Sequence, residues 1–192
     1  MKIKDFTFLT EKYNLICVTG KMASGKNFIC TKLEQFGWFS ADADLLVHKA
    51  IDDCSQIIIQ TFSKEAKAKH IELLTKTGKI DRRELGKLLF GSPDLLKKQE
   101  EIIYPVITKM IQNIIQNHKK VILNATVLYK TPEILNMCEA VIFVKSNFIK
   151  RFFRAKKRDC LSTRQILKRF KSQKNLYKKY KNSNIPIFLL KN

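Results

Sequence analysis

One stretch, Val18-Thr19-Gly20-Lys21-Met22-Ala23-Ser24-Gly25-Lys26-Asn27, limits the folds open to this chain more than any other. An apolar run, Leu15-Ile16-Cys17-Val18, enters it. A helical pattern leaves it, with Ile29, Leu33 and Phe36 on one face. A strand, a turn bounded by glycines, a lysine and a helix together make a phosphate cradle. The glycines let the backbone turn its N–H groups inward. The helix N-terminus adds its partial positive charge, and Lys26 reaches the β- and γ-phosphates of a nucleotide. The spacing is G-x-x-x-x-G-K. Asn27 stands where a Ser or Thr hydroxyl ordinarily holds Mg²⁺; its amide oxygen ligates the ion more weakly and from a longer arm. A bare glycine-rich turn is the alternative reading. The strand and helix contexts on either side favour the cradle.

The rest of the chain reads as α/β. Strands are expected over 13–19, 38–41, 121–123 and 140–144, with a possible edge strand over 185–190 that has Pro186 near its start. Gly37 reads as the stop of the first helix after the cradle. The second strand delivers Asp42-Ala43-Asp44 at its carboxyl end, the edge where ligands bind in open α/β sheets. Asp42 there can take a proton from a substrate hydroxyl or fix a Mg²⁺ water. Equally, Asp42 or Asp44 can cap a helix beginning at Leu45. Residues 1–12 are a short extension, either an added edge strand or a loose segment. Residues 50–118 read as mostly helical, with a turn at Lys76-Thr77-Gly78-Lys79 and a break at Gly91-Ser92-Pro93-Asp94. Ile103, Ile107 and Ile111 belong to an apolar stripe at helical period, a core face, and Pro105 is expected to kink or begin that helix. A helical block of this length exceeds a simple crossover and reads as an inserted substrate lobe.

The formal net charge of +20 over 192 residues favours polyanionic partners. Most of the excess falls in residues 145–181, which hold 15 basic residues and one acid, Asp159. Helices are expected over 148–157 and 162–174, the second opened by a Ser162–Gln165 capping box. Arg154 and Arg158, four apart, share a helix face, and such a pair aimed at a triphosphate neutralises charge as a phosphoryl group moves. A nucleic-acid surface is the rival reading, although no RNA- or DNA-binding motif accompanies the charge. Cys17, Cys30, Cys54, Cys138 and Cys160 form no C-x-x-C pair and read as reduced thiols. With no signal-peptide core or membrane-length apolar run, a soluble cytoplasmic protein is expected; a monomer is expected as well, on no residue pattern of its own.

Several separated stretches, in order, resemble one family, the dephospho-coenzyme A kinases. The resemblance rests on the P-loop Gly20 to Asn27, on Asp42-Ala43-Asp44 followed by His48, and on Gly78-Lys79-Ile80-Asp81-Arg82-Arg83-Glu84-Leu85 followed by Phe90. It rests also on Arg154, Arg158, Asp159, Ser162 and Gln173. It implies a P-loop NTPase-type parallel five-stranded sheet flanked by helices, with an inserted helical lobe that holds the CoA moiety and a helical lid. The core would comprise about 13–49 and 119–192, the insertion about 50–118 and the lid about 146–175. The implied reaction moves the γ-phosphoryl of ATP, with Mg²⁺, to the ribose 3′-hydroxyl of dephospho-CoA. By the same resemblance Asp42 accepts or orients that hydroxyl, and Lys26, Arg154 and Arg158 hold the phosphates. Gly20, Ala23, Ser24, Gly25, Asn27 and Phe28 belong to the backbone wrap around them, and Asp44, His48 and Arg82 contact dephospho-CoA.

The chain also departs from the family pattern. Lys21 stands for a Gly, Asn27 for the hydroxyl, and Tyr104 for a His before Pro105. The family's D-x-P-L-L-F-E segment reads Asn124-Ala125-Thr126-Val127-Leu128-Tyr129-Lys130, without its two acids. A non-catalytic nucleotide- or CoA-binding protein, or a P-loop kinase of another small metabolite, are the alternatives these departures raise.

Overall fold

The computed structural model describes residues 6–159 and 162–192. Five strands form one fully parallel sheet: β1 (Leu15–Gly20), β2 (Phe39–Asp42), β3 (Val121–Asn124), β4 (Ala140–Lys145) and β5 (Ile187–Lys191), in the order β2-β3-β1-β4-β5. The apolar runs of β1 and β3 are buried throughout, as expected of parallel strands covered on both faces. Because β1 lies between β3 and β4, its carboxyl end at Gly20 opens at the middle of the sheet. Asp42 ends β2 opposite Asn124, in register, on that same edge.

The chain packs as two compact units. The first comprises residues 1–43 and 114–192 and contains the whole sheet. Its helices include α1 (Phe6–Lys12) and α2 (Lys26–Glu34). Its core gathers Ile16, Val18, Ile29, Leu33, Trp38, Ile122, Ile142 and Val144, joined by Leu9 and Tyr13. Residues 1–12 therefore yield a helix, not an edge strand, from Phe6 onward, because Leu9 is fully buried in this core. The part of that expectation covering residues 1–5 lies outside the described residues. Phe36 falls past the end of α2 and is 48% exposed, so the apolar face of that helix stops at Leu33. Gly37, at φ +80, carries the chain onward into β2 in a left-handed conformation.

The second unit, residues 44–113, is helical. It draws on α3 (Ala43–Asp53), α4 (Ser55–Ala68), α5 (Arg82–Leu89) and most of α6 (Pro93–Asn117). Phe62, Ile58, Leu85 and Leu88 are buried in it, as are Ile103, Ile107 and Ile111 on one face of α6. Pro105 lies inside this single 25-residue helix and does not begin it. The turn at 76–79 sits between Leu74 and Ile80, which form an antiparallel bridge. Asp81 caps α5, accepting from the Arg83 and Glu84 N–H groups at 2.9 and 3.1 Å, a contribution of about 1 kcal/mol.

The first unit resumes through α7 (Pro132–Met137) and then, after β4, through α8 (Phe148–Asp159), α9 (Thr163–Ser172) and α10 (Leu176–Lys181). The Ser162–Gln165 capping box opens α9 as the sequence predicts. Cys17, Cys30, Cys54 and Cys138 are free and buried; Cys160 lies outside the described residues. Among the described residues no helix is long and apolar enough to cross a membrane.

Candidate functional site

The turn between β1 and α2 is a built cradle. Gly20 cannot carry a side chain: a Cβ there would lie 2.5 Å from the Val144 carbonyl oxygen and 2.6 Å from Ser24 Oγ. Ala23 and Gly25 hold φ of +58° and +97° on either side of Ser24, the backbone alternation that curves peptide groups around an anion. Lys26, the first residue of α2, curls back so that Nζ donates to the Gly20 carbonyl at 3.4 Å. Its charge thus sits over the mouth of the turn. Ser24 is buried, and its hydroxyl has no hydrogen-bond partner among the described residues.

Residues 23–27, Arg154, Lys157 and Arg158 line one cavity of about 540 Å³. The two arginines expected from the sequence therefore meet the cradle. Lys157, on the same helix, joins them; only its place in the basic run pointed to it. Arg154 also lies within 3.5 Å of Ser146 Oγ. A cavity with the backbone of the turn and Lys26 on one wall and three cationic side chains on the other suits a polyphosphate.

The tip of the turn is held from outside. Met22 N–H donates to Gln173 Oε1 at 2.7 Å, and the Met22 carbonyl accepts from Arg151 Nε at 2.9 Å. The Met22 side chain packs with Ala155, Ile166 and Phe170 of α8 and α9. Arg151 is itself buried and lies 4.1 Å above the Phe170 ring. Burial draws its guanidinium below the usual arginine value. Lys21 is likewise lowered, first by burial and then by the charges of Arg151 and Lys145. Farther on, Asn192 Nδ2 donates to the Ser24 carbonyl at 3.0 Å. Arg151 and Asn192 were not singled out by sequence reasoning, and Gln173 appeared there only as a motif position.

At the sheet edge, Asn124 Nδ2 donates to Asn27 Oδ1 at 3.0 Å. Asn27 is exposed, and Asp42, opposite Asn124 in register, is half-buried. These amide and carboxylate oxygens are hard donors of the kind Mg²⁺ prefers, so the residues present fit that ion. Among the described residues no group of three or more His, Cys, Asp or Glu side chains could hold a metal. An ion here would depend on nucleotide phosphate oxygens for much of its coordination.

Phe28 opens the exposed side of α2, and its backbone follows Asn27 at the helix start. Asp44, His48 and Arg82 belong to the helical unit, where all three are exposed. Arg82 donates to Asp52 at 3.1 Å, a solvent-exposed pair of small energetic weight.

The sequence model of the family described as dephospho-CoA kinase matches residues 14–192. The dephospho-CoA kinase of Treponema denticola is 33% identical over 184 residues, covering 93% of this chain and 82% of that protein. Among solved structures, the dephospho-CoA kinase from Campylobacter jejuni aligns with a TM-score of 0.58 at 26% identity, covering 93% of this chain and 88% of that one. A Thermus thermophilus crystal structure has the same fold, with a TM-score of 0.77 at 22% identity, covering 94% of this chain and 88% of that one.

Proposed function

Since the chain belongs to the dephospho-CoA kinase family, we infer that its cradle binds the phosphates of ATP for transfer to dephospho-CoA. The enzyme is a kinase that phosphorylates dephospho-CoA with ATP, a step of CoA biosynthesis. The observation that carries the site assignment is the cavity in which residues 23–27 face Arg154, Lys157 and Arg158.

In this reading the backbone from Ala23 to Phe28, with Gly20 giving the turn its shape, wraps the α- and β-phosphates. Lys26 binds the β- and γ-phosphates, and Arg154 and Arg158 lie against the transferring group, offsetting the charge that spreads over its oxygens. Asp42 accepts the proton of the ribose 3′-hydroxyl as that oxygen bonds to the γ-phosphorus. The bond from that phosphorus to the bridging oxygen of ADP breaks, and ADP leaves with the electron pair. Asp44, His48 and Arg82 contact dephospho-CoA, and the helical unit carries its CoA moiety. Helices α8 and α9 act as the lid. Asn27 and Asp42 are the protein oxygens proposed for Mg²⁺. When bound, the ion supplies positive charge to the β- and γ-phosphate oxygens. A cytoplasmic monomer is proposed, and the four buried free thiols suit a reducing compartment.

The test is ADP release from Mg·ATP with and without dephospho-CoA, with Lys26→Ala as control. Release that requires dephospho-CoA and is lost in the variant is the expected result. Release that is indifferent to dephospho-CoA, or retained without Lys26, overturns the assignment.

A further inference from the structure

We propose that Arg151 and Asn192 are positioning residues that set which way two peptide groups of the phosphate cradle face. This rests on the reading of residues 20–27 as the ATP phosphate site. In a planar trans peptide the C=O and the following N–H point in opposite directions. The Met22 carbonyl is bound by Arg151 Nε, so the N–H of the same peptide, that of Ala23, is turned away from Arg151. The Ser24 carbonyl is bound by Asn192 Nδ2, so the N–H of Gly25 is turned away from Asn192. Ala23 and Gly25 both line the cavity that Arg154 and Arg158 share.

The intervening N–H groups are committed elsewhere. Met22 N–H goes to Gln173 Oε1, and Ser24 N–H goes to the Lys21 carbonyl at 3.0 Å. The loop thus alternates: Met22 and Ser24 hold the framework, while Ala23 and Gly25 present donors. Reversing either presenting peptide would aim a carbonyl lone pair at a phosphate. Two remote side chains oppose that reversal.

Both holders are themselves fixed. Arg151 is 6% exposed and stacked on Phe170, so its Nε has one direction available. Asn192 Nδ2 fills the place a Gly25 side chain would need, 1.9 Å from an added Cβ, and Arg154 Nη1 lies 3.6 Å from the same point. The residue that orients the Gly25 peptide is therefore packed beside the arginine assigned to the phosphates.

The experiment uses the full chain, ADP as ligand, and Asn192→Asp and Arg151→Met as variants. Asn192→Asp keeps the shape, removes the donor and adds a negative charge, so the selective loss at the Gly25 amide, and not the affinity alone, is the diagnostic readout. ADP dissociation constants come from calorimetry, and the Ala23 and Gly25 amides are followed by ¹H–¹⁵N NMR. The expected result is a rise of about tenfold or more in the ADP constant for each variant, the scale of one charge-assisted donor, with KM for dephospho-CoA within about twofold of the parent. On adding ADP, the downfield shift is lost selectively: at Gly25 in Asn192→Asp and at Ala23 in Arg151→Met. Unchanged ADP affinity with both amides still shifting overturns the proposal. So does simultaneous loss of both shifts with a large fall in melting temperature, which marks general destabilisation. Should Arg151→Met fail to fold, Asn192→Asp decides alone. ADP binding needs no dephospho-CoA, so a failure here is separable from a failure of the kinase assignment.

Discussion

Asn124 donates its side-chain amide to Asn27 Oδ1 at 3.0 Å, joining the end of β3 to the first turn of α2. The two amides replace a hydroxyl and a carboxylate of the family pattern, and the structure makes them partners of each other. The bond fixes the Asn27 oxygen and leaves its second lone pair for an ion.

Asn124→Asp gives up the donor to Asn27 Oδ1 but adds a full carboxylate charge beside Asn27 and opposite Asp42 in the sheet register, and the added charge is expected to outweigh the lost bond. We expect the Mg²⁺ concentration for half-maximal turnover to fall by roughly tenfold, in line with other changes around a metal's ligands. A magnesium titration of ADP release measures it. An unchanged or higher requirement removes Asn27 and its neighbours from the metal's surroundings.

Asp42, half-buried at the carboxyl end of β2, is the residue proposed as general base, and a carboxamide of the same shape cannot take the proton. Asp42→Asn is expected to lower kcat by about 10²–10⁴-fold while leaving the ADP dissociation constant within about twofold. Calorimetry beside a steady-state assay separates the two. Near-parental turnover would remove Asp42 from the chemistry.

Gly25→Ala meets two obstacles, a φ of +97° and an overlap with Asn192 Nδ2. The backbone strain alone costs about 1–3 kcal/mol, which in a chain of this size lowers the melting temperature by about 2–4 °C per kcal/mol. Adding Asn192→Gly relieves the overlap and not the φ, so recovery should be partial. Full recovery of the melting temperature would show that the left-handed conformation carries no cost here.

Burial holds the Cys30 thiol up at about 11 and the Cys138 thiol up at about 12, each aided by nearby acidic groups. Both are raised in the folded protein, so their contribution is complete below the unfolded thiol value near 9 and is lost as the pH climbs through 11 to 12. In that window the unfolded chain holds fewer protons, and stability should fall by up to about 1.4 kcal/mol per pH unit for each thiol. Urea unfolding between pH 8 and 11 tests the slope. Cys30→Ala should flatten it; a slope that persists unchanged assigns the alkaline loss to other groups.

The sheet was legible because parallel strands buried on both faces are short apolar runs, and Ile16, Ile122 and Ile142 each sit in one. The arginines were legible because α8 has a helical period and a motif to anchor it. What stayed hidden was what depends on distant partners. Asn192 meets Ser24 across 168 positions, and Arg151 meets Met22 across 129. In the sequence Arg151 is one cation among fifteen between 145 and 181, and nothing local separates the one that is buried from those that are solvated. Phe36 shows the opposite error: periodicity extended the apolar face of α2 beyond the point where the helix stops. Likewise Leu9 gave no local sign that it would draw residues 6–12 into the core as a helix.

The reach from Ser24 to Asn192 also orders events during synthesis. A ribosome releases β1, the cradle and α2 early, yet the side chain that steadies the Ser24–Gly25 peptide emerges only after β5. Until then a nascent chain has the glycines and the lysine of a nucleotide site without that outer grip on its backbone. The peptide that Asn192 holds is therefore completed by a segment made after all five strands, not by the segment that contains the cradle.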